Sequence, residues 1–283
     1  MGKPLQFFVT TGGLPKIAKV FELYSHQERP ELTKPVIEII DAVFNFHSST
    51  PKSCFARIAA QSNLISLLGQ RFADLSYDDP LLEILCKIFE VFSTGSTQVK
   101  IKMADSEYID NIFTKARSNP NGTEHKIEQS KTNSSDLNDW NLYTIIKAMN
   151  NLAMDKNVIP TLWKTNFVTR LIEHIQAVGQ HTMDLMQSTC FTAIFHLTRI
   201  LVPENLPKIK SLIPLLPWII MNDTSVKEIA TTIFLDIINE HIDVDDTRIE
   251  LQNNQGIDTL LYLLETSNHK ENIIALLVTW AAR

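Results

Sequence analysis

Apolar residues recur every three or four positions along much of the chain, most regularly between residues 140 and 175. That spacing is typical of helices that bury one face. Asp155 interrupts the pattern, Pro160 restricts the backbone, and Asn166 is placed to cap a new helix. The run therefore predicts two helices joined by a short helical turn. Their apolar positions are Leu142, Ile145, Ile146, Met149, Leu152 and Ala153, then Phe167, Val168, Leu171, Ile172 and Ile175.

One such pair cannot bury its apolar face alone, and similar pairs recur along the chain. Each predicted long helix has a large apolar residue near its middle and is accompanied by shorter closing helices. These central residues are Phe44, Phe89, Met149, Phe195, Phe234 and Val278. Setting aside a polar insertion at 116–139, they repeat roughly every 36 to 46 residues. The period predicts an all-α, armadillo/HEAT-like right-handed helical solenoid.

Turn and cap residues stand where several of these helices should begin. Gly12-Gly13 predicts a tight turn, and Pro15 fits the first turn of the helix that follows. Thr50-Pro51 and Asp79-Pro80 predict capped helix starts. Thr50-Pro51-Lys52 also fits a proline-directed phosphorylation site.

The whole chain, residues 1–283, is expected to form one repeat domain. Residues 116–139 lose the helical period and are rich in Asn, Ser, Thr, Lys and Glu, so they predict a flexible loop. The first repeat is expected to open on its closing helix, and the last repeat stops after its long helix. These ends suggest a fragment of a longer chain, or a protein whose ends are covered by partners.

Composition narrows the functional classes. The net charge is −6, from 26 basic and 32 acidic residues, which argues against nucleic-acid binding. The three cysteines form no CxxC pair, which is typical of a reducing compartment. No apolar run reaches the ~18 residues of a membrane span. We expect a cytosolic or nuclear protein that does not insert into membranes.

Motifs for chemistry are missing from the sequence. His174 and His181 are seven residues apart, but Gly179 between them should break the helix, and no HExxH or tetrahedral Cys/His set is present. The acidic pair Asp78-Asp79 precedes a helix, where capping explains it. We therefore predict no catalytic, cofactor-binding or metal-binding residues. An enzyme with an unfamiliar site in the solenoid groove is the competing class.

Binding is the remaining class of function. Lys16, Lys19, Arg170 and His174 fall between the buried positions of closing helices, which we expect to line the concave face. They are the candidate partner-groove residues; ordinary solvated helix faces would give the same pattern.

Four segments resemble the helical region of fungal septation and mitotic-exit protein kinases and of plant mitogen-activated protein kinase kinase kinase epsilon. FFVTTGGLPKIAKVFE is similar to the family's FVxxGGIPxLVxLLE, and residues 50–58 are similar to TPKxxFxRI. Residues 145–155 are similar to LLKxIKNLSMD, and residues 251–280 to LWxxxGLxFYLxLLxDxYWQVxALDAIxxWL. The order is the same, although Thr259-Leu260-Leu261 replaces the family's FYL, and the insertion at 116–139 has no counterpart.

The resemblance implies a non-catalytic, armadillo-like C-terminal region of a Ser/Thr kinase, because the glycine-rich loop, VAIK, HRD and DFG motifs are missing from this sequence. It further implies protein partners: a small Ras-like GTPase, a spindle-pole scaffold or the kinase domain itself. The expected location is the cytoplasm or the spindle pole body. A general armadillo peptide-binding adaptor of the nuclear-transport or catenin type is the alternative, although its Trp-xxx-Asn pattern fits only once, at Trp218 to Asn222.

Overall fold

The computed structural model describes residues 2–24, 29–45, 52–75, 79–105, 134–177, 185–200, 203–222, 225–241 and 243–282. Their regular structure is entirely helical, without a strand, as the sequence predicts. The helices are α1 (Gly2–Thr10), α2 (Gly13–Leu23), α3 (Pro30–Asn45), α4 (Lys52–Gln61), α5 (Leu64–Asp74), α6 (Leu81–Ser93), α7 (Thr97–Asp105), α8 (Ser134–Ala153), α9 (Ile159–Lys164), α10 (Phe167–Ala177), α11 (Leu185–Thr198), α12 (Leu206–Ile209), α13 (Leu215–Met221), α14 (Lys227–His241), α15 (Asp245–Asn253), α16 (Gly256–Thr266) and α17 (Lys270–Ala281). Two 3₁₀ turns, Pro203–Asn205 and Lys210–Leu212, flank α12.

The chain divides into two compact units, Met1–Phe167 and Val168–Arg283. In the first unit the long helix α6 packs between α3 and α8, while α2 packs on α5 and α4 packs on α7. In the second unit the long helix α14 packs on both α11 and α17, and α13 packs on α16. Helices of the same kind thus contact one another within each unit, which is how successive repeats bury their apolar faces. The expectation of one domain over residues 1–283 stays a prediction.

The apolar stripe of the long helices is the core of both units. Phe44, Phe89, Met149 and Phe234 are at most 1% exposed, which confirms four of the six predicted central positions. The other two predictions are wrong, Phe195 by one residue and Val278 by two.

In α11 the fully buried residue is Ile194, and Phe195 is only half-buried. In α17 the buried residues are Ile273, Leu276 and Trp280, whereas Val278 is 64% exposed. Adjacent residues of a helix point about 100° apart, so a shift of one position moves a side chain from the core to its edge.

A left-handed residue begins the closing helix in three repeats. Gly12, Asn63 and Gln255 have φ values of 81°, 59° and 63°, directly before α2, α5 and α16. The predicted turn at Gly12 is confirmed. A Cβ on the adjacent Gly13 would overlap the Phe8 ring, so a larger residue there would require that ring to move.

The predicted helix starts agree with the structure at Asp79 and differ from it at Asn166. The Asp79 carboxylate accepts a hydrogen bond of 2.9 Å from the Leu81 amide, as a cap should. At α10 the hydroxyl of Thr165 accepts from the Phe167 amide at 3.3 Å, so Thr165 supplies the oxygen that was expected from Asn166. The short helical turn predicted between the central helices is α9. Thr50-Pro51 lies outside the described residues.

Two boundaries differ from the sequence prediction. The first repeat does not open on its closing helix, since α1 precedes α2 and packs against it. The predicted loop at 116–139 ends too late, because residues 134–139 already belong to α8. Residues 116–133 lie outside the described part of the chain.

Candidate interaction surface

Three polar side chains at intervals of four residues connect the end of α8 to the preceding repeat. They are Lys147, Asn151 and Asp155. Lys147 and Asn151 lie on one side of α8 because they are four residues apart, and Asp155 follows two residues after the end of the helix. Each contacts a different side chain of α6 or α7, and we call the set the polar ladder. Its pairs are Lys147 Nζ with Glu90 Oε1 at 2.7 Å, Asn151 Nδ2 with Ser93 Oγ at 3.1 Å, and Thr97 Oγ1 with Asp155 Oδ2 at 2.9 Å.

Asp155 is the end of the ladder with the most partners. Its carboxylate also accepts a hydrogen bond of 3.1 Å from the Asn157 amide and lies 3.6 Å from the Lys100 ammonium. Burial by itself would raise the pKa of Asp155, but the hydrogen bonds from Thr97 and Asn157 and the Lys100 charge together lower it. The carboxyl group is therefore held ionised, as a fixed acceptor between two repeats.

The polar residues of the ladder on and after α8 also belong to a segment that resembles the family, and the structure shows that they contact the preceding repeat. Lys147, Asn151 and Asp155 match the K, N and D of the LLKxIKNLSMD pattern. The Glu90 contact raises the pKa of Lys147, so its charge is retained. These groups hold α6, α7 and α8 together, and sequence reasoning missed that role because each partner lies more than fifty residues away in the chain.

The four predicted groove residues fall into both units. Lys16 and Lys19 are exposed on α2 of the first unit, whereas Arg170 and His174 lie on α10 of the second. Lys19 pairs with Glu22 at 3.3 Å, one turn along its own helix. Arg170 pairs in the same way with Glu173 at 3.3 Å, and among the described residues its Nε has no hydrogen-bond partner. The His174 side chain is outside the described part of the structure.

Several titratable side chains lie close together on α11, directly after it and on α14 of the second unit, and the sequence analysis did not predict this. Burial, with the Arg199 charge, lowers the pKa of His196. Burial, with the Glu240 charge, raises the pKa of Asp236, although Arg199 opposes that shift. The Arg199 guanidinium lies 6.0 Å from the centre of the Phe195 ring. Both shifts favour the neutral form, and their common cause is the half-buried position of these side chains between packed helices.

The described residues offer little for chemistry. No group of three His, Cys, Asp or Glu side chains in this part of the chain could hold a metal ion. Burial raises the pKa of the Cys86 thiol to about 12, so it is not a nucleophile at neutral pH. None of the described helices is both long and apolar enough to cross a bilayer. What the described residues offer is the surface of packed helices.

Comparisons with known proteins agree with this architecture. No protein-family model matches the chain. Among curated proteins it aligns with cytokinesis protein sepH of Aspergillus terreus at 24% identity over 98% of the chain. The sepH proteins of Aspergillus niger and Emericella nidulans are 23% and 24% identical over 98% and 92% of the chain. The chain spans only 18–20% of the length of these relatives. It is therefore a distant homologue of one part of fungal sepH, which confirms the resemblance.

Among solved structures, a designed armadillo repeat protein in complex with peptide (KR)4 matches 94% of this chain and 99% of its own. The TM-score is 0.55 and the sequence identity is 13%. This likeness concerns the fold alone and confirms the armadillo-like class.

Proposed function

We propose that the chain is a non-catalytic protein-interaction region of a septation-type Ser/Thr kinase, used for targeting or regulation of that kinase in cytokinesis. The observation that carries the proposal is the alignment of nearly the whole chain with about a fifth of sepH. Stacked helices present an extended surface and lose little entropy when they dock, which suits a scaffold. The proposed partners are a small Ras-like GTPase, a spindle-pole scaffold or the kinase domain, met in the cytoplasm or at the spindle pole body.

A capture experiment tests this proposal. The tagged chain is incubated with an extract of dividing cells, and the retained proteins are identified by mass spectrometry. We expect a component of the septation pathway, and no ATP-dependent activity of the purified chain. Phosphorylation of a generic substrate by a preparation free of contaminating kinases would overturn the non-enzymatic part.

Charge reversal tests whether the predicted groove residues contribute. Lys16→Glu with Lys19→Glu should weaken the capture, because both side chains are exposed on α2. Arg170→Glu is a less clean change, since part of that guanidinium is buried. The matched control is Lys156→Glu with Lys270→Glu, two exposed lysines elsewhere. Equal capture by both double variants, with unchanged circular dichroism, would remove Lys16 and Lys19 from the interface.

The second candidate function is a peptide-binding adaptor. The designed armadillo protein was solved with a basic peptide, and the net charge of −6 of this chain would suit basic ligands. Its one Trp-xxx-Asn match argues the other way, because the Asn222 amide donates to the Trp218 carbonyl at 2.8 Å within its own helix. Capture of importin cargoes with basic localisation peptides, and of nothing from the septation pathway, would favour the adaptor.

A further inference from the structure

A surface pocket of about 280 Å³ lies between α4 and α7 of the first unit. Its lining residues are Arg57, Ala60 and Gln61 of α4 and Gln98, Ile101 and Lys102 of α7. Each helix thus contributes one cation and one amide four residues apart, a spacing that places both on one side of the helix.

The pocket is apolar at depth and polar at its mouth. Ala60 is buried and Ile101 is half-buried, whereas the two amides and the two cations are exposed. Its size is just below the ~300 Å³ at which small-molecule pockets begin. The space suits one aliphatic or aromatic side chain rather than a cofactor.

Within the described residues, neither of the two cations of the pocket, Arg57 and Lys102, forms an ion pair, although the chain has a net charge of −6. Other cations of the same unit are paired: Lys87 with Glu83, and Lys100 with Asp155. A ligand carrying negative charge would therefore be attracted to the pocket mouth.

We propose that this pocket binds a short acidic segment of a partner protein. One Leu or Phe side chain of the segment contacts Ala60 and Ile101, and flanking Asp or Glu residues lie beside Arg57 and Lys102. The Gln61 and Gln98 amides both donate and accept hydrogen bonds, which matches the backbone of an extended peptide. This charge preference is the opposite of that in the designed protein with its (KR)4 peptide. Peptide binding at this pocket does not require that the chain act in septation.

Fluorescence anisotropy with synthetic peptides tests the proposal on the full chain. The probe is a fluorescein-labelled peptide of sequence GSEELEESG, compared with GSKKLKKSG and GSEEAEESG. We expect saturable binding of the first peptide, weakened by added salt because exposed charges contribute. Replacing its Leu by Ala should weaken binding about tenfold or more, since alanine buries much less apolar surface than leucine. The lysine peptide should not bind.

Variants locate the binding on the protein. Arg57→Glu with Lys102→Glu should abolish binding, and the milder Arg57→Gln with Lys102→Gln should weaken it while leaving the fold intact, because both side chains are exposed. The matched control Lys156→Glu with Lys270→Glu makes the same charge change elsewhere and should bind almost as well as the native chain. Equal binding of the glutamate and lysine peptides, unaltered binding by both pocket variants, or no saturation would each overturn the proposal. Failure of the capture experiment above would leave this result unaffected.

Discussion

Gln255 holds a backbone conformation that an ordinary side chain disfavours. Its φ of 63° places it in the left-handed region directly before α16, at the position that Gly12 occupies before α2. A residue with a Cβ costs roughly 1–2 kcal/mol there, whereas glycine enters the region freely. The native sequence thus tolerates strain at one of its repeated helix starts.

Gln255→Gly should therefore stabilise the chain by about 0.5–1 kcal/mol, after the greater backbone entropy of glycine in the unfolded state is subtracted. Urea denaturation followed by circular dichroism measures this. The control is Gln252→Gly, in the last turn of α15, which should not stabilise the chain, because Gln252 already has a helical backbone and glycine has the lower helix propensity. A loss of stability in Gln255→Gly would mean that the Gln255 side chain makes a contribution larger than the strain.

The second prediction at this scale compares neighbours on α11. Ile194→Ala should cost roughly 2–5 kcal/mol, because Ile194 is fully buried and its loss leaves a cavity. Phe195→Ala should cost less, although phenylalanine is the larger side chain, because Phe195 is half-buried beside Arg199. Urea denaturation measures the free energy of unfolding of both variants. A larger loss of stability from Phe195→Ala would support the register predicted from the sequence.

The sequence could not settle that register. In α11 the residues Cys190, Phe191, Ala193, Ile194, Phe195 and Leu197 are all apolar. They cover more than half of the helix circumference, and the opposite side carries mainly Ser and Thr rather than charged residues, so the pattern marks only weakly which residue faces the core. In α6 the exposed Lys87 and the half-exposed Glu90 mark the outer side, and there Phe89 was assigned correctly.

At the scale of elements, α8 is attached to the preceding repeat by the polar ladder as well as by apolar packing. The Asn151–Ser93 hydrogen bond is its middle pair, and Ser93 is fully buried. Buried hydrogen bonds of this kind contribute about 0.5–1.5 kcal/mol net.

A double-mutant cycle measures that contribution. Asn151→Ala and Ser93→Ala should be coupled by roughly 0.5–1.5 kcal/mol, because either change alone removes the same hydrogen bond. Asn151→Ala and Thr94→Ala should be additive, since the exposed Thr94 hydroxyl donates to the Val91 carbonyl of its own helix. Additivity in the first cycle would show that the ladder contributes no specific energy.

Elements were predictable from the sequence where an apolar stripe defined them, and less so elsewhere. Residues 134–139 are polar except for Leu137 and carry no apolar stripe, so the first turns of α8 were assigned to the loop. The ladder and the α4–α7 pocket bring together side chains that are distant in the sequence, and periodicity on one helix does not specify its partners.

At the scale of the whole molecule, the repeat period predicted the armadillo-like class correctly. Every repeat must bury an apolar face in the same way, and errors of one or two residues in the central position change the period little. The polar insertion is the exception to that period. Its deletion tests whether the repeats need it.

Deleting residues 116–133 and joining the ends through a short Gly-Ser linker should keep the Tm within a few degrees. Loop closure changes by only about 0.6 kcal/mol for each doubling of length, and the deletion leaves α7 and α8 whole. Thermal circular dichroism checks the variant. A large fall in Tm or lost helicity would mean that the insertion packs against the repeats.

Each unit has its own buried thiol: Cys86 lies in the first and Cys190 in the second, both shielded from solvent. An alkylating reagent attacks the thiolate and needs access, so each cysteine reacts only when its surroundings open. With Cys54 replaced by serine, mass spectrometry of peptides labelled in dilute urea would time the opening at the two positions separately. Matching rates would mean that the chain opens as one cooperative body, and different rates would identify the unit that loosens first.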